Sequence, residues 1–294
     1  MNRPAGHAAL TRPAEVRLAL ESIGVRPSRR LGQNFLIDRN IRDILLDAAG
    51  VAEHETAIEI GPGLGVVTDG LVERTAAVRA LEKDPRLAAW LIARFHERPN
   101  VRIIEGDALE ADLEPLLADA VCCVSNLPYV TGNRILVRFV QHPRRPPRLA
   151  ITVQWEVARR LAANPGEADY GLLSVWIQQD YRVRIVHRVS PTCFWPVPEV
   201  TSAIVSLQRR PPQDERAGLR DTFYAITRAA FTHRRKQLLP ALAGGRRPHG
   251  NDAARLEAAF SAADVRAEVR PETLEPARWW ALADALTPAA GQNK

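Results

Sequence analysis

The tetrapeptide Asn126-Leu127-Pro128-Tyr129 puts a carboxamide, a proline turn and an aromatic ring at the end of the apolar run Val121-Cys122-Cys123-Val124-Ser125. Those residue types suit chemistry on the exocyclic amine of a base. Such an amine is a poor nucleophile because its lone pair is delocalised into the ring. Two acceptors on its two N–H bonds, the Asn126 side-chain oxygen and the Leu127 or Pro128 backbone carbonyl, would hold the nitrogen and concentrate that lone pair. Tyr129, with Phe194, would stack on a flipped base, at roughly 1–3 kcal/mol per base. With a sulfonium donor no strong general base is required, and positioning supplies most of the rate. An isolated match of this kind is more simply a loop whose tyrosine packs in the core.

A second stretch changes that balance. In Ala57-Ile58-Glu59-Ile60-Gly61-Pro62-Gly63-Leu64-Gly65 an apolar run breaks into three alternating glycines. Glycine opens turn conformations closed to other residues and removes the Cβ atoms that keep a ligand off the chain, so the pattern predicts a strand, a tight turn and a nucleotide-like cofactor. The dinucleotide fingerprint is the nearest alternative, but its third glycine falls one place later, where this chain has Val66. The next apolar runs, Ala76–Leu81 and Val101–Glu105, lead into Glu82 and Asp107. A carboxylate after the second strand can accept from both ribose hydroxyls, and one after the third can take an adenine amino proton. Each taken singly is as readily a helix cap, whereas glycines, Glu82, Asp107 and Asn126 in this order match the strand ends of one parallel sheet.

The remaining runs complete that sheet. Leu149–Val153, Val183–Val186 and Ala203–Leu207 read as three further strands, making seven. Trp155–Ala163 and Gly171–Gln179 read as helices, and the prolines of Phe194-Trp195-Pro196-Val197-Pro198 predict a stiff irregular loop. From Gly218, apolar residues recur at helical spacing at Leu219, Phe223, Ile226 and Ala230, which predicts a small helical tail. The fold class is therefore α/β with an all-α C-terminal domain. Boundaries fall at 1–211 and 212–294, with 1–14 as a flexible arm before a helix at Glu15–Leu20.

Composition narrows the function classes. The 294 residues carry a net charge of +6, compatible with a polyanionic partner. Three cysteines, two of them adjacent, offer neither a disulfide framework nor metal-ligand spacing, so no metal is expected. No apolar segment approaches the roughly 20 residues that span a bilayer. The chain reads as cytoplasmic, and monomer is the default state.

The sequence resembles the ribosomal RNA adenine dimethyltransferase family from about Arg29 to the C-terminal helices. The resemblance rests on Leu31-Gly32-Gln33-Asn34-Phe35-Leu36, Glu59 to Gly65, Leu81-Glu82-Lys83-Asp84, Gly106-Asp107-Ala108 and Asn126-Leu127-Pro128-Tyr129, then on Tyr170–Ser174, Phe194–Pro198 and Phe231–Lys236. It implies a Rossmann-like class I S-adenosylmethionine-dependent methyltransferase sheet and a helical RNA-binding domain. The implied activity is dimethylation of two adjacent adenosines in the 3′-terminal hairpin of small-subunit (16S) ribosomal RNA, with a role in small-subunit biogenesis on the immature 30S particle. It implies donor contacts from Gln33, Asn34, Leu36, Glu59, Gly61, Gly63, Glu82, Lys83, Asp107, Ala108 and Asn126. Asn126, Leu127, Pro128, Tyr129 and Phe194 would hold the base.

On residues alone Gln33 and Asn34 read as turn chemistry and the Arg234-Arg235-Lys236 run as a solvated face; the resemblance promotes them to donor contacts and RNA contacts. Glu199 and Trp155 stand where lysines are common in the family, and Pro240 is expected to interrupt the helix after the basic run. The large-subunit (23S) enzyme of the antibiotic-resistance type shares most motifs but commonly has serine at the position of Gly32 and isoleucine at that of Leu127. Other relatives of this fold are binding proteins and assembly factors in which catalysis is secondary, and the intact tetrapeptide argues that catalysis is retained.

Overall fold

The computed structural model describes residues 10–27, 32–211, 218–234, 236–243 and 253–287. The chain forms two compact units, Met1–Ala158 with Val183–Arg209, and Arg159–Arg182 with Arg210–Lys294. Its elements in order are α1 (Pro13–Ser22), β1 (Phe35–Leu36), α2 (Arg39–Ala49), β2 (Thr56–Ile60), α3 (Val66–Val72), β3 (Ala77–Glu82), α4 (Pro85–Arg94) and β4 (Val101–Glu105). There follow α5 (Glu114–Leu117), β5 (Ala120–Asn126), α6 (Gly132–Gln141), β6 (Arg148–Gln154), α7 (Trp155–Ala162), α8 (Leu172–Gln178), β7 (Tyr181–Val189), β8 (Phe194–Trp195) and β9 (Ser202–Arg209). Among the described residues there follow α9 (Arg220–Thr232), α10 (Leu238–Ala243), α11 (Ala253–Ala262) and α12 (Pro276–Leu286).

All seven apolar runs are strands of one sheet, ordered β4-β3-β2-β5-β6-β9-β7. The five strands from β4 to β6 are parallel, and β9 is antiparallel to β6. From β2 the chain steps outward to β3 and β4, then returns to the other side of β2 as β5. This reversal opens a crevice beyond the carboxyl ends of β2 and β5, where ligands of open parallel sheets bind.

Local chemistry sets the helices that flank the crevice. Asp38 caps α2 by accepting the Ile41 N–H at 3.1 Å, and Gly50 ends that helix in the left-handed region. Asp84 caps α4 by accepting the Arg86 N–H, with Pro85 in the first turn. The apolar faces of α2 and α3 pack on Ala57, Val78, Cys122, Val124, Ala150 and Ile204 of the sheet. Cys122 and Cys123 are strand filler, and burial pushes both thiols up to about 12.

The structure corrects two expectations about loops. Phe194 and Trp195, expected in an irregular loop, form β8, which pairs antiparallel with β1; Phe35 faces Trp195 and Leu36 faces Phe194. The irregularity begins only at the prolines that follow. Of the arm expected over 1–14, residues 1–9 lie outside the described residues. Leu10 is buried beside Val16, Leu20 and Leu64, and the Thr11 N–H donates to Glu15, so residues 10–14 are tied down by packing and a hydrogen bond.

The second unit is helical, as the tail pattern predicted. Phe223 stacks on Trp280 with ring centroids 4.2 Å apart, and Trp176 donates through Nε1 to Thr227 at 2.9 Å. It also takes in residues 159–182, which sequence reading grouped with the sheet. Asp180 pairs with Arg220 at 2.8 Å and the Tyr170 hydroxyl donates to the Leu274 carbonyl, which ties that segment to the tail helices. Pro240 does not break a helix. It lies in the first turn of α10, where backbone N–H groups have no intrahelical acceptor to lose. The stretch Gly244-Gly245-Arg246-Arg247, whose residue types read as a basic turn, lies outside the described residues.

Candidate active site

A cleft of about 1070 Å³, measured out to open solvent, occupies the crevice at the strand ends. It is lined by Gln33, Asn34 and Leu36 before α2, Glu59, Gly61 and Gly63 after β2, Glu82 and Lys83 after β3, Asp107 and Ala108 after β4, and Asn126, Leu127 and Pro128 after β5. Every residue the resemblance implied as a donor contact therefore lies on one cleft. Sequence reading missed Val16, Thr131 and Ile135, which also line it. Val16 and Leu20 stand four apart on one helix face, a signal that marked the helix but not its destination.

The glycine loop explains itself residue by residue. Gly61, Gly63 and Gly65 all have positive φ, at 66°, 60° and 86°. At Gly63 a Cβ would lie 2.9 Å from the Phe35 ring, so the segment before α2 packs directly on the loop. The Gly63 N–H donates to Glu82 Oε2 at 3.1 Å and the Asp84 N–H to Oε1 at 2.9 Å, which fixes the Glu82 carboxyl at the cleft floor. Burial pushes this carboxyl up, and the backbone N–H donors partly offset it. Two accepted bonds leave lone pairs free for ribose hydroxyls.

Glu59 has a different character. It is buried, and desolvation pushes it up to about 8 despite a 2.6 Å bond donated by the Thr68 hydroxyl. Burial thus favours its neutral, protonated form over the carboxylate. Asp107 is the opposite case. Lys83 Nζ lies 2.6 Å from its Oδ2, the Leu109 N–H donates to Oδ1, and the Lys83 bond holds the carboxyl below its usual range.

Asn126 ends β5, and its amide is oriented by one bond: Nδ2 donates to the Asn34 carbonyl at 2.8 Å. Its Oδ1 is buried and has no hydrogen-bond partner among the described residues. A buried amide oxygen without a donor is costly, so its retention beside a cleft points to a ligand N–H. Asn34 bonds back to the Gly32 carbonyl. At Gly32 (φ 66°) a Cβ would stand 2.9 Å from both the Tyr129 and Val130 nitrogens, so this segment lies against the Asn126–Val130 backbone. Of the two candidate backbone acceptors, the Pro128 carbonyl already takes the Gly132 N–H at 2.7 Å.

The aromatic pair is placed differently from the sequence expectation. Tyr129 and Phe194 do meet, edge-on, with centroids 6.4 Å apart. Neither ring is among the residues lining the cleft, and Phe194 is fully buried in the core with Leu36 and Val124. The Tyr129 hydroxyl is hydrogen-bonded to Ser202, and burial pushes its phenol up.

In the second unit, Arg234 donates to Glu272 at 2.6 Å and to the Ala168 carbonyl at 2.7 Å, so its charge is partly spent internally. Lys236 is exposed beside Arg270 on a groove that Phe231 also lines, and Arg235 lies outside the described residues. Trp155, at the head of α7, carries the Arg188 guanidinium over its ring at 5.0 Å, while Glu199 is exposed. Among the described residues, no group of three or more His, Cys, Asp or Glu could hold a metal, and no helix is long and apolar enough to cross a membrane.

The family model for ribosomal RNA adenine dimethylase matches residues 25–267. A ribosomal RNA small subunit methyltransferase A from Pelotomaculum thermopropionicum is 37% identical, covering 95% of this chain and 98% of its own. The crystal structure of a dimethyladenosine transferase from Plasmodium falciparum superposes with a TM-score of 0.72 at 22% identity, over 84% of this chain and 95% of that one. That of the 23S rRNA methyltransferase ErmE gives 0.65 at 26% identity, over 86% and 99%.

Proposed function

This chain belongs to the ribosomal RNA adenine dimethylase family, and from that membership we propose that it is the small-subunit enzyme, dimethylating N6 of two adjacent adenosines in the 3′-terminal hairpin of 16S ribosomal RNA. The observation that carries the reading is the buried, unpartnered Asn126 Oδ1 at the edge of the switch-point cleft. An amide oxygen held in this way by the Asn34 carbonyl is preset to accept one N–H of an exocyclic amine.

S-adenosylmethionine is the donor, and when bound it supplies a methyl group activated on a sulfonium sulfur. The residues present fit it. Gly61 and Gly63 line the cleft as backbone without Cβ atoms, Glu82 would accept from ribose hydroxyls, and Asp107, beside Ala108, would accept from the adenine amino group. Gln33, Asn34 and Leu36 cover the cleft from the segment before α2. Asn126 then accepts one N–H of the target amine and the Leu127 carbonyl the other, since the Pro128 carbonyl is already engaged. Those two acceptors orient the nitrogen lone pair, and exclusion of water from the cleft strengthens both bonds. Tyr129 and Phe194 hold the base, which requires their edge-on pair to open.

The sheet unit, residues 1–158 with 183–209, supplies donor binding and chemistry, and the helical unit, through Arg234, Arg235 and Lys236, supplies RNA affinity. The protein acts as a monomer in the cytoplasm on the immature 30S particle. Methyl transfer from labelled S-adenosylmethionine to undermethylated small subunits and, in parallel, to large-subunit RNA, with the modified bases mapped, tests the assignment. Paired dimethyladenosines in the small subunit are expected. A single modified adenosine in large-subunit RNA would move the protein to the resistance type, and tight RNA binding without transfer would make it a binding protein.

A further inference from the structure

Asn126 is not alone in having an orphaned polar atom. Thr152, in the middle strands of the sheet, is fully buried, and its Oγ1 has no hydrogen-bond partner among the described residues. The two residues are register partners on the adjacent parallel strands β5 and β6. Side chains paired in this way leave the sheet on the same face, with strands about 4.8 Å apart. An unpartnered acceptor and an unpartnered hydroxyl therefore stand side by side at the carboxyl end of the sheet.

The aromatic pair covers the same place. Tyr129 leaves the end of β5 and its hydroxyl bonds Ser202 at the start of β9, on the far side of β6, so its side chain passes over the β6 end. Phe194, edge-on to Tyr129, packs in the cluster that holds Ala150, two residues before Thr152, and Ile204, its register partner on β9. Thr152 thus lies at the floor of the space that these rings would vacate on taking up a base.

We propose that the Thr152 hydroxyl reads the target base, donating to the ring nitrogen beside the exocyclic amine while Asn126 Oδ1 accepts from the amine itself. Adenine offers an N–H donor beside a ring-nitrogen acceptor on both of its polar edges. Guanine offers a carbonyl at that position and an N–H on the Watson–Crick side, so the pair of groups accepts one purine and opposes the other. Admission of the base costs the Tyr129–Ser202 hydrogen bond, which the stacked ring offsets. The inference rests on the methyltransferase reading above and adds a specificity-determining residue to it.

Thr152→Val keeps the shape and removes the hydroxyl; Thr152→Ser keeps the hydroxyl. Transfer to undermethylated small subunits, S-adenosylmethionine affinity and melting temperature are measured for both variants and the parent. The expected result is a roughly tenfold fall in kcat/KM for Thr152→Val with donor affinity unchanged and substantial recovery in Thr152→Ser. The melting temperature of Thr152→Val should hold or rise, because the variant no longer buries an unpaired hydroxyl. Full activity in Thr152→Val, or a Ser variant as impaired as the Val variant, would overturn the role of Thr152. A parent chain that transfers no methyl to small subunits would instead overturn the reading on which it rests.

Discussion

Two buried carboxyls at the cleft have opposite duties, and the residue scale shows why. Among the described residues Glu59 accepts from the Thr68 hydroxyl, and burial pushes it up to about 8; Glu82 is braced by backbone donors that include the Gly63 and Asp84 N–H groups. For Glu59 the folded-state value lies above an unfolded value near 4.5. Its contribution to stability is thus fully present below about 4.5 and is lost as pH rises through about 8. Glu59→Gln, permanently neutral, should flatten that alkaline loss, which urea midpoints measured across the window would show. Glu82→Ala should weaken donor binding and also lower the melting temperature, because the Gly63 and Asp84 N–H groups lose their acceptor. The identity of both glutamates was legible in the motif; the protonation of Glu59 was not, since burial is a property of the assembled strands rather than of the residue.

At the scale of elements, the seven strands, the helices at Glu15–Leu20, Trp155–Ala163 and Gly171–Gln179 and the helical tail were legible because each carries a run or periodicity long enough to see. β1 and β8, two residues each, carry none, and they decide how the Gln33–Leu36 segment is held over the cleft. For that reason Gln33 and Asn34 read by residue type as turn chemistry, and the family resemblance is what implies their contact with the donor. Gly32 makes the constraint testable. Gly32→Ala should cost about 1–2 kcal/mol from left-handed strain alone, with more from the contacts at the Tyr129 and Val130 nitrogens. Thermal melts with and without S-adenosylmethionine should show a lower melting temperature and a smaller shift on adding the donor. An unchanged donor shift would mean that this segment does not contribute to donor binding.

For the whole molecule, net charge is compatible with a polyanion and the family resemblance implies a methyl donor, while the division of labour among the basic residues needed coordinates. Lys236 is exposed, whereas Arg234 is tied to Glu272 and Ala168. Lys236→Ala should therefore reduce the salt slope of RNA binding by about 1, as expected for one lost phosphate contact. Arg234→Ala should alter the slope less and destabilise the helical unit more, a contrast that salt titrations and melts resolve. The central claim, that one cleft binds the donor while Asn126 presents the amine to it, is tested most directly by Asn126→Ala. Donor affinity and methyl transfer to undermethylated small subunits are measured on the same preparation. Near-parental donor binding with transfer reduced by a factor on the order of 100 or more is expected; near-normal transfer would contradict the claim.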